Sequence, residues 1–164
     1  DTKQINEYLF LLGTDLQDWK AIFNIEFQTD LQNMFRLHGD VLLEKKEKDS
    51  QSIVNSCAMI ESAGHEGVVF VNCPYIYASD IGNIIAKNYR LAVCWYLDSD
   101  FRMKFSLRSN SKTEGWINCA EVPAKFGGGG HANAAGFTLD VSGGNLQSIT
   151  AIFDSILDRI FDPN

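Results

Sequence analysis

The chain has 164 residues, 45% hydrophobic and 21% charged, a balance that fits one compact globular core and excludes a disordered tail or two large domains. Its formal net charge of -7 excludes a protein that wraps long nucleic acid, because neutralising many phosphates needs a basic surface. No apolar run is long enough to span a bilayer, and Asp1-Thr2-Lys3-Gln4 lacks the basic-then-apolar pattern of a signal peptide, so a cytoplasmic protein with no membrane partner is expected.

Cys57, Cys73, Cys94 and Cys119 show no CxxC spacing and read as reduced thiols. A start at Asp1 rather than Met is expected of a piece cut from a longer chain, although a cleaved tag leaves the same start. Charge is unevenly spread. Residues 1–56 carry six basic and ten acidic groups and residues 137–164 one and four, whereas residues 57–136 balance at seven each. From Arg102 to His131 the cations Arg102, Lys104, Arg108, Lys112 and Lys125 face only Glu114 and Glu121. A locally cationic stretch in an acidic chain suits a small phosphorylated ligand better than a duplex.

In chain order, Ile5, Tyr8, Leu9 and Leu12 recur at helical spacing, and Leu16, Trp19, Ile22 and Phe23 repeat the pattern. A longer helix carries the stripe Phe27, Leu31, Met34, Phe35, His38, Val41 and Leu42 and enters the mixed run Glu44 to Asp49, a solvated helical face. Residues 1–56 thus read as a helical connecting segment and residues 57–164 as the domain proper. That domain opens with a strand from Cys57 to Glu61, a turn at Gly64-His65-Glu66-Gly67, and the run Val68 to Cys73, whose continuous apolarity predicts burial on both faces. Ser79 is placed to cap a short helix presenting Ile81, Ile84 and Ile85, which Asn88 would end, and Leu91 to Leu97 reads as a central strand.

Phe101, Met103, Phe105 and Leu107 then alternate with Arg102, Lys104, Ser106 and Arg108, so every cation of that strand points to one face. A helix is expected from Trp116 to Phe126, then a glycine loop, then a strand from Gly136 to Val141. Asn145, after Gly143-Gly144, would cap a final helix with Leu146, Ile149, Ile152, Phe153, Ile156, Leu157, Ile160 and Phe161 at helical spacing. The predicted architecture is α/β, a mixed sheet of about five strands flanked by helices.

The sharpest local signal is Gly127-Gly128-Gly129-Gly130-His131. Ordering four glycines costs more backbone entropy than ordering any other residues, which points to unusual dihedrals or to close approach of backbone and ligand; the plain alternative is a flexible connector. Glycine-loop N–H groups can cradle a phosphate and a neighbouring His can donate to it. No Lys-Ser or Lys-Thr follows, so this is not a P-loop. The loose GxGxxA match of Gly127, Gly129 and Ala132 lacks the preceding strand of a dinucleotide fold. Asp98-Ser99-Asp100 lies between two strand patterns and reads as a hairpin turn rather than a metal-binding DxD. His38 and His65 have no Asp, Glu or Cys at ligand spacing, and His38 reads as a boundary histidine on a helix.

Ser106-Leu107-Arg108-Ser109, followed about twenty residues later by Phe126 to Phe137 with its GGGGHANAAG run, resembles the C-terminal associated domain of DHH phosphoesterases. The resemblance covers residues 57–140 well and residues 1–56 loosely. It implies a substrate-binding role in which Arg108, Gly128, Gly129, Gly130 and His131 hold the phosphate of a nucleotide, short single-stranded oligonucleotide or cyclic dinucleotide. The ester would be hydrolysed by a separate N-terminal DHH domain whose Asp and His residues bind manganese or magnesium. This chain has no Asp-His-His triplet, so no catalytic or metal-ligand role is assigned to its own residues and it is expected to be inactive alone. A stand-alone nucleotide-binding module is the competing reading.

Overall fold

The structure, a computed structural model, describes residues 2–13, 15–23, 28–61, 64–141 and 149–161. Phe27, Gly143, Gly144, Asn145 and Leu146, used above, lie outside the described residues. Two compact units are present, Asp1–Asp49 and Ser50–Asn164.

The first unit is helical: α1 (Thr2–Leu9), a 3-10 turn (Phe10–Leu12), α2 (Leu16–Phe23) and the greater part of α3 (Gln28–Ser56). Tyr8 joins α1 to α3, meeting the Phe35 ring edge-on at 5.2 Å and stacking on His38 at 5.9 Å. His38 itself is exposed. The charge run is a solvated face, with Lys45 paired to Asp49 and Lys48 to Glu44 at i,i+4 spacing, contacts that add little stability in water.

The second unit is built on one six-stranded mixed sheet of order β1-β2-β3-β4-β6-β5. Its strands are β1 (Met59–Glu61), β2 (Val68–Asn72), β3 (Leu91–Leu97), β4 (Arg102–Arg108), β5 (Gly129–His131) and β6 (Ala134–Asp140). Only β2 and β3 are parallel, joined through α4 (Ala78–Ile85). Val68 to Val71 and Leu91 to Cys94 are buried throughout because each face of these strands has its own core. On one face Val68, Phe70, Leu91 and Val93 pack with Met103, Phe105, Leu107, Phe137 and the buried stripe Ile152, Phe153, Ile156 and Leu157 of α6 (Ile149–Phe161). Phe70 stacks on Phe153 at 4.1 Å. On the other, Val69, Val71, Ala92 and Cys94 pack beneath Ile81 and Ile85 of α4, with Ile53 and Val54 of α3 at the margin.

Several local expectations need correction. The strand expected from Cys57 starts at Met59, because α3 runs on to Ser56. The helix expected over Trp116 to Phe126 is only α5 (Glu121–Ala124). Pro123 lacks the N–H an interior turn needs, and the segment before it is drawn into loops, the Ile117 N–H donating to Arg90 O and the Cys119 N–H to Ala132 O. Ser79 is no cap: it lies inside α4, which begins at Ala78. The glycine run is a loop only in its first half: Gly127 and Gly128 turn the chain, and Gly129–His131 forms the edge strand β5.

Candidate functional site

The alternation of β4 sends Met103, Phe105 and Leu107 into the core and Arg102, Lys104, Ser106 and Arg108 to the opposite face. Helix α4 shelters one end of that face. A Cβ on Gly82 would sit 2.7 Å from Arg108 Cγ, so the bare glycine lets the arginine stem lie across the helix. The guanidinium is then fixed by three neutral acceptors: Nη2 donates to Ser79 Oγ at 2.6 Å, and Nη1 to Leu107 O at 2.7 Å and Ser106 Oγ at 3.2 Å. None of these offsets its charge, and among the described residues no carboxylate pairs with it. Arg102 differs. It is bound to Asp98 at 3.1 Å and to Asp100, while Asp98 Oδ1 accepts the N–H groups of Asp100 and Arg102. These acids therefore form the hairpin turn expected of them, and their bonds to Arg102 N–H groups hold the Asp98 carboxyl below the usual range.

Beyond β4 the sheet continues as a hairpin of β6 and β5. Arg108 lies opposite Ala134, and Ala134 opposite His131. Paired residues in neighbouring strands share a face, so Arg108 and His131 stand on the same face, two strand spacings or about 10 Å apart, with a methyl group between them. The next row is Ser106, Gly136 and Gly129, and the next Tyr96, Lys104 and Thr138. Small residues leave a floor there. An open cleft of about 380 Å³ is lined by Tyr96, Lys104, Ser106, Gly128, Gly136 and Thr138, with Phe126 and Gly127 among its walls. That volume lies within the range of small-ligand sites.

The glycines differ from one another. Gly127, at φ 70°, turns the chain, and the Gly128 N–H is already bonded to Pro123 O at 2.8 Å. A Cβ on Gly128 or Gly130 would strike the β6 backbone, whereas one on Gly129 would meet nothing within 4 Å. Exposed Gly127, Gly129 and His131 are therefore the members of the run that face open space, and of these Gly129 and His131 belong to the strand.

Ser109, quoted above only as part of a motif, braces the hairpin. Its N–H donates to Asn133 O, its hydroxyl to Ala132 O, and it accepts the Cys119 thiol at 3.2 Å. Burial pushes the Cys119 thiol up. Its folded pKa exceeds the unfolded value, so its contribution to stability is complete below the ordinary thiol range, about 8.5, and is lost as pH rises beyond it. The melting temperature is expected to fall between pH 8 and pH 10, and less steeply in Cys119→Ala, as a series of thermal melts would reveal. An equal slope in both would remove Cys119 as the cause.

Tyr96, Thr138 and Ser79 were not read from the sequence as parts of a site. The signal for Tyr96 was present: folding the chain at Asp98 to Phe101 sets Tyr96 opposite Lys104.

Fold and cleft together define an α/β domain with an open cleft on the cation-bearing face of its sheet. Among the described residues no three His, Cys, Asp or Glu side chains converge to hold a metal ion, so the fit to a manganese or magnesium pair fails here. The DHHA1 domain model matches residues 75–159, and the chain belongs to that family, the accessory domain of DHH-family phosphoesterases. The pGpG-specific phosphodiesterase PggH from Vibrio cholerae shares the fold, with TM-score 0.56 and 11% identity over 98% of this chain and 56% of that one. The chain thus spans little more than half of that relative. An exopolyphosphatase-related protein from Bacteroides fragilis aligns over 83% of this chain and 44% of its own, with TM-score 0.47 and 18% identity. No curated protein sequence matches the chain.

Proposed function

We propose that this chain holds the phosphate of a nucleotide, short oligonucleotide or cyclic dinucleotide for hydrolysis by a metal-dependent DHH domain of the same polypeptide. The observation that carries the reading is that Arg108 and His131 stand on one sheet face, two strands apart across a floor of small residues: a guanidinium that among the described residues is held by neutral acceptors, and an exposed imidazole. Arg108 acts as the charged clamp, His131 as a second donor, and Gly128, Gly129 and Gly130 let the backbone come close, with Gly129 the one whose missing side chain leaves room for ligand. Residues 1–56 serve as the connecting segment and residues 57–164 as the binding domain. Manganese or magnesium belongs to the DHH domain, where a metal-activated water would attack the phosphorus. Free thiols at all four cysteines fit a reducing compartment, and the cytoplasm is the location we assign. No helix among the described residues is long and apolar enough to cross a membrane.

Calorimetry of the 164-residue chain with a 5′-phosphorylated dinucleotide tests this. Arg108→Ala should weaken binding by about 1.5–3 kcal/mol, the worth of a charge-assisted contact. Arg108→Lys should restore only part of it, because an ammonium cannot present the planar fork. His131→Ala should weaken binding in the same direction. Unchanged affinity in both alanine variants, each folded by circular dichroism, would remove the site.

A further inference from the structure

The cleft lies beside the Arg108–His131 row and runs away from it along the sheet face, from Ser106 to Tyr96. Tyr96 shares its row with Lys104 and Thr138 and lines the cleft. Tyr75, in the 3-10 turn Tyr75–Tyr77 after β2, packs against it with ring centroids 5.9 Å apart and planes at 47°. Tyr75 is 69% exposed. A single exposed tyrosine needs no explanation, but here two abutting rings stand at the rim of a polar cleft, one of them in its wall.

The spacing is what matters. Arg108 curls back along its own strand, with Nη1 3.2 Å from Ser106 Oγ, so its charge lies over the Ser106 row. The Tyr96–Lys104 row is two residues farther on, about 7 Å along the strand. A phosphate on the guanidinium would leave its nucleoside within reach of the tyrosine rings, whereas a bare pyrophosphate or polyphosphate chain would gain nothing from the rings, and the cation of that row, Lys104, is already paired with Asp98 at 3.7 Å.

We infer that Tyr96, supported by Tyr75, is a base-stacking platform for the nucleobase of the ligand. The inference rests on the phosphate reading above and deepens it. Stacking on a ring face accepts any base, so the platform selects for the presence of a nucleobase more than for its identity.

The test is calorimetry of the 164-residue chain with three probes: a 5′-phosphorylated dinucleotide, the same molecule with both bases removed, and tripolyphosphate. The intact dinucleotide should bind more tightly than its abasic form. Tyr96→Ala should weaken the intact dinucleotide by about 5- to 150-fold, the effect of removing one base-stacking aromatic, and leave tripolyphosphate unchanged. Tyr96→Phe should bind as wild type and Tyr96→Leu as weakly as Tyr96→Ala, which separates a lost ring from a lost fold. Tyr75→Ala should give a smaller loss. Equal affinity for intact and abasic dinucleotide, or an intact-dinucleotide affinity indifferent to Tyr96→Leu and Tyr75→Ala, overturns the platform. If abasic and inorganic probes bind through Arg108 while bases add nothing, only this inference falls. If none of the three binds, the phosphate reading falls with it.

Discussion

Gly128→Ala and Gly130→Ala are expected to destabilise the domain strongly, while Gly129→Ala leaves its melting temperature within error of wild type. A methyl on Gly128 would press on the Gly136 carbonyl oxygen and lie 2.6 Å from Phe137 Cβ, and one on Gly130 would press on Ala135 Cα and Ala134 O. These are mostly backbone atoms of β6 and cannot swing aside as a rotamer can. Gly130 also sits at φ 154°, a conformation that side chains rarely adopt. Overpacking of this kind costs about 1–3 kcal/mol, or roughly 4–8 °C of melting temperature per kcal/mol for a domain near 100 residues. Gly129 meets nothing within 4 Å, so its alanine variant belongs with neutral surface changes, within about 0.5 kcal/mol. Its methyl would nonetheless project into the ligand row beside Gly136 and weaken dinucleotide binding. Thermal melts and calorimetry on the three variants separate the two roles; equal destabilisation by all three would make the run structural throughout.

The second large effect concerns catalysis. The 164-residue chain with millimolar manganese or magnesium is expected to release no product from a dinucleotide or a chromogenic phosphodiester above the uncatalysed background, and turnover is expected once the DHH domain is supplied. Two-metal hydrolysis needs carboxylates and imidazoles converging on ions about 3.5–4 Å apart. Among the described residues no such group forms: His65 stacks on Phe161 at 4.3 Å, and Asp98 and Asp100 are engaged by Arg102. Under the proposed function the cleft would orient an ester and offset its charge, and generating the nucleophile would fall to the DHH domain. Chelator-sensitive turnover by this chain alone, lost in His131→Ala, would overturn the division of labour.

The parts legible in the sequence were those where a side-chain pattern and the backbone agree. The unbroken apolarity of Val68 to Val71 needs two cores, and two are present. The strict alternation of β4 placed Arg108 on the polar face before any register was known. What stayed hidden depends on partners distant in the chain. Glycine disfavours strands, so nothing local marks Gly129–His131 as one; its pairing comes from β6, which in turn lies against β4. Ser79 has the chemistry of a cap, and its role was set instead by a guanidinium 29 residues away. The apolar spacing before Phe126 imitates a helix, but Cys119 and Ile117 give their N–H groups to Ala132 and Arg90.

The candidate site bridges two strands that differ in how firmly they are held. Arg108 belongs to β4, flanked on both sides and backed by the core, whereas His131 ends a three-residue edge strand with one neighbour and every residue exposed. Edge segments with few buried contacts open at far lower free energy than central strands. A ligand touching both must keep the edge closed, so part of its binding free energy goes into ordering that strand. Affinity and edge order are therefore linked in both directions. Ser109 grips the hairpin tip from the core side through Ala132 and Asn133, so Ser109→Ala is expected to weaken ligand binding through the population of closed edge, at a distance from any phosphate.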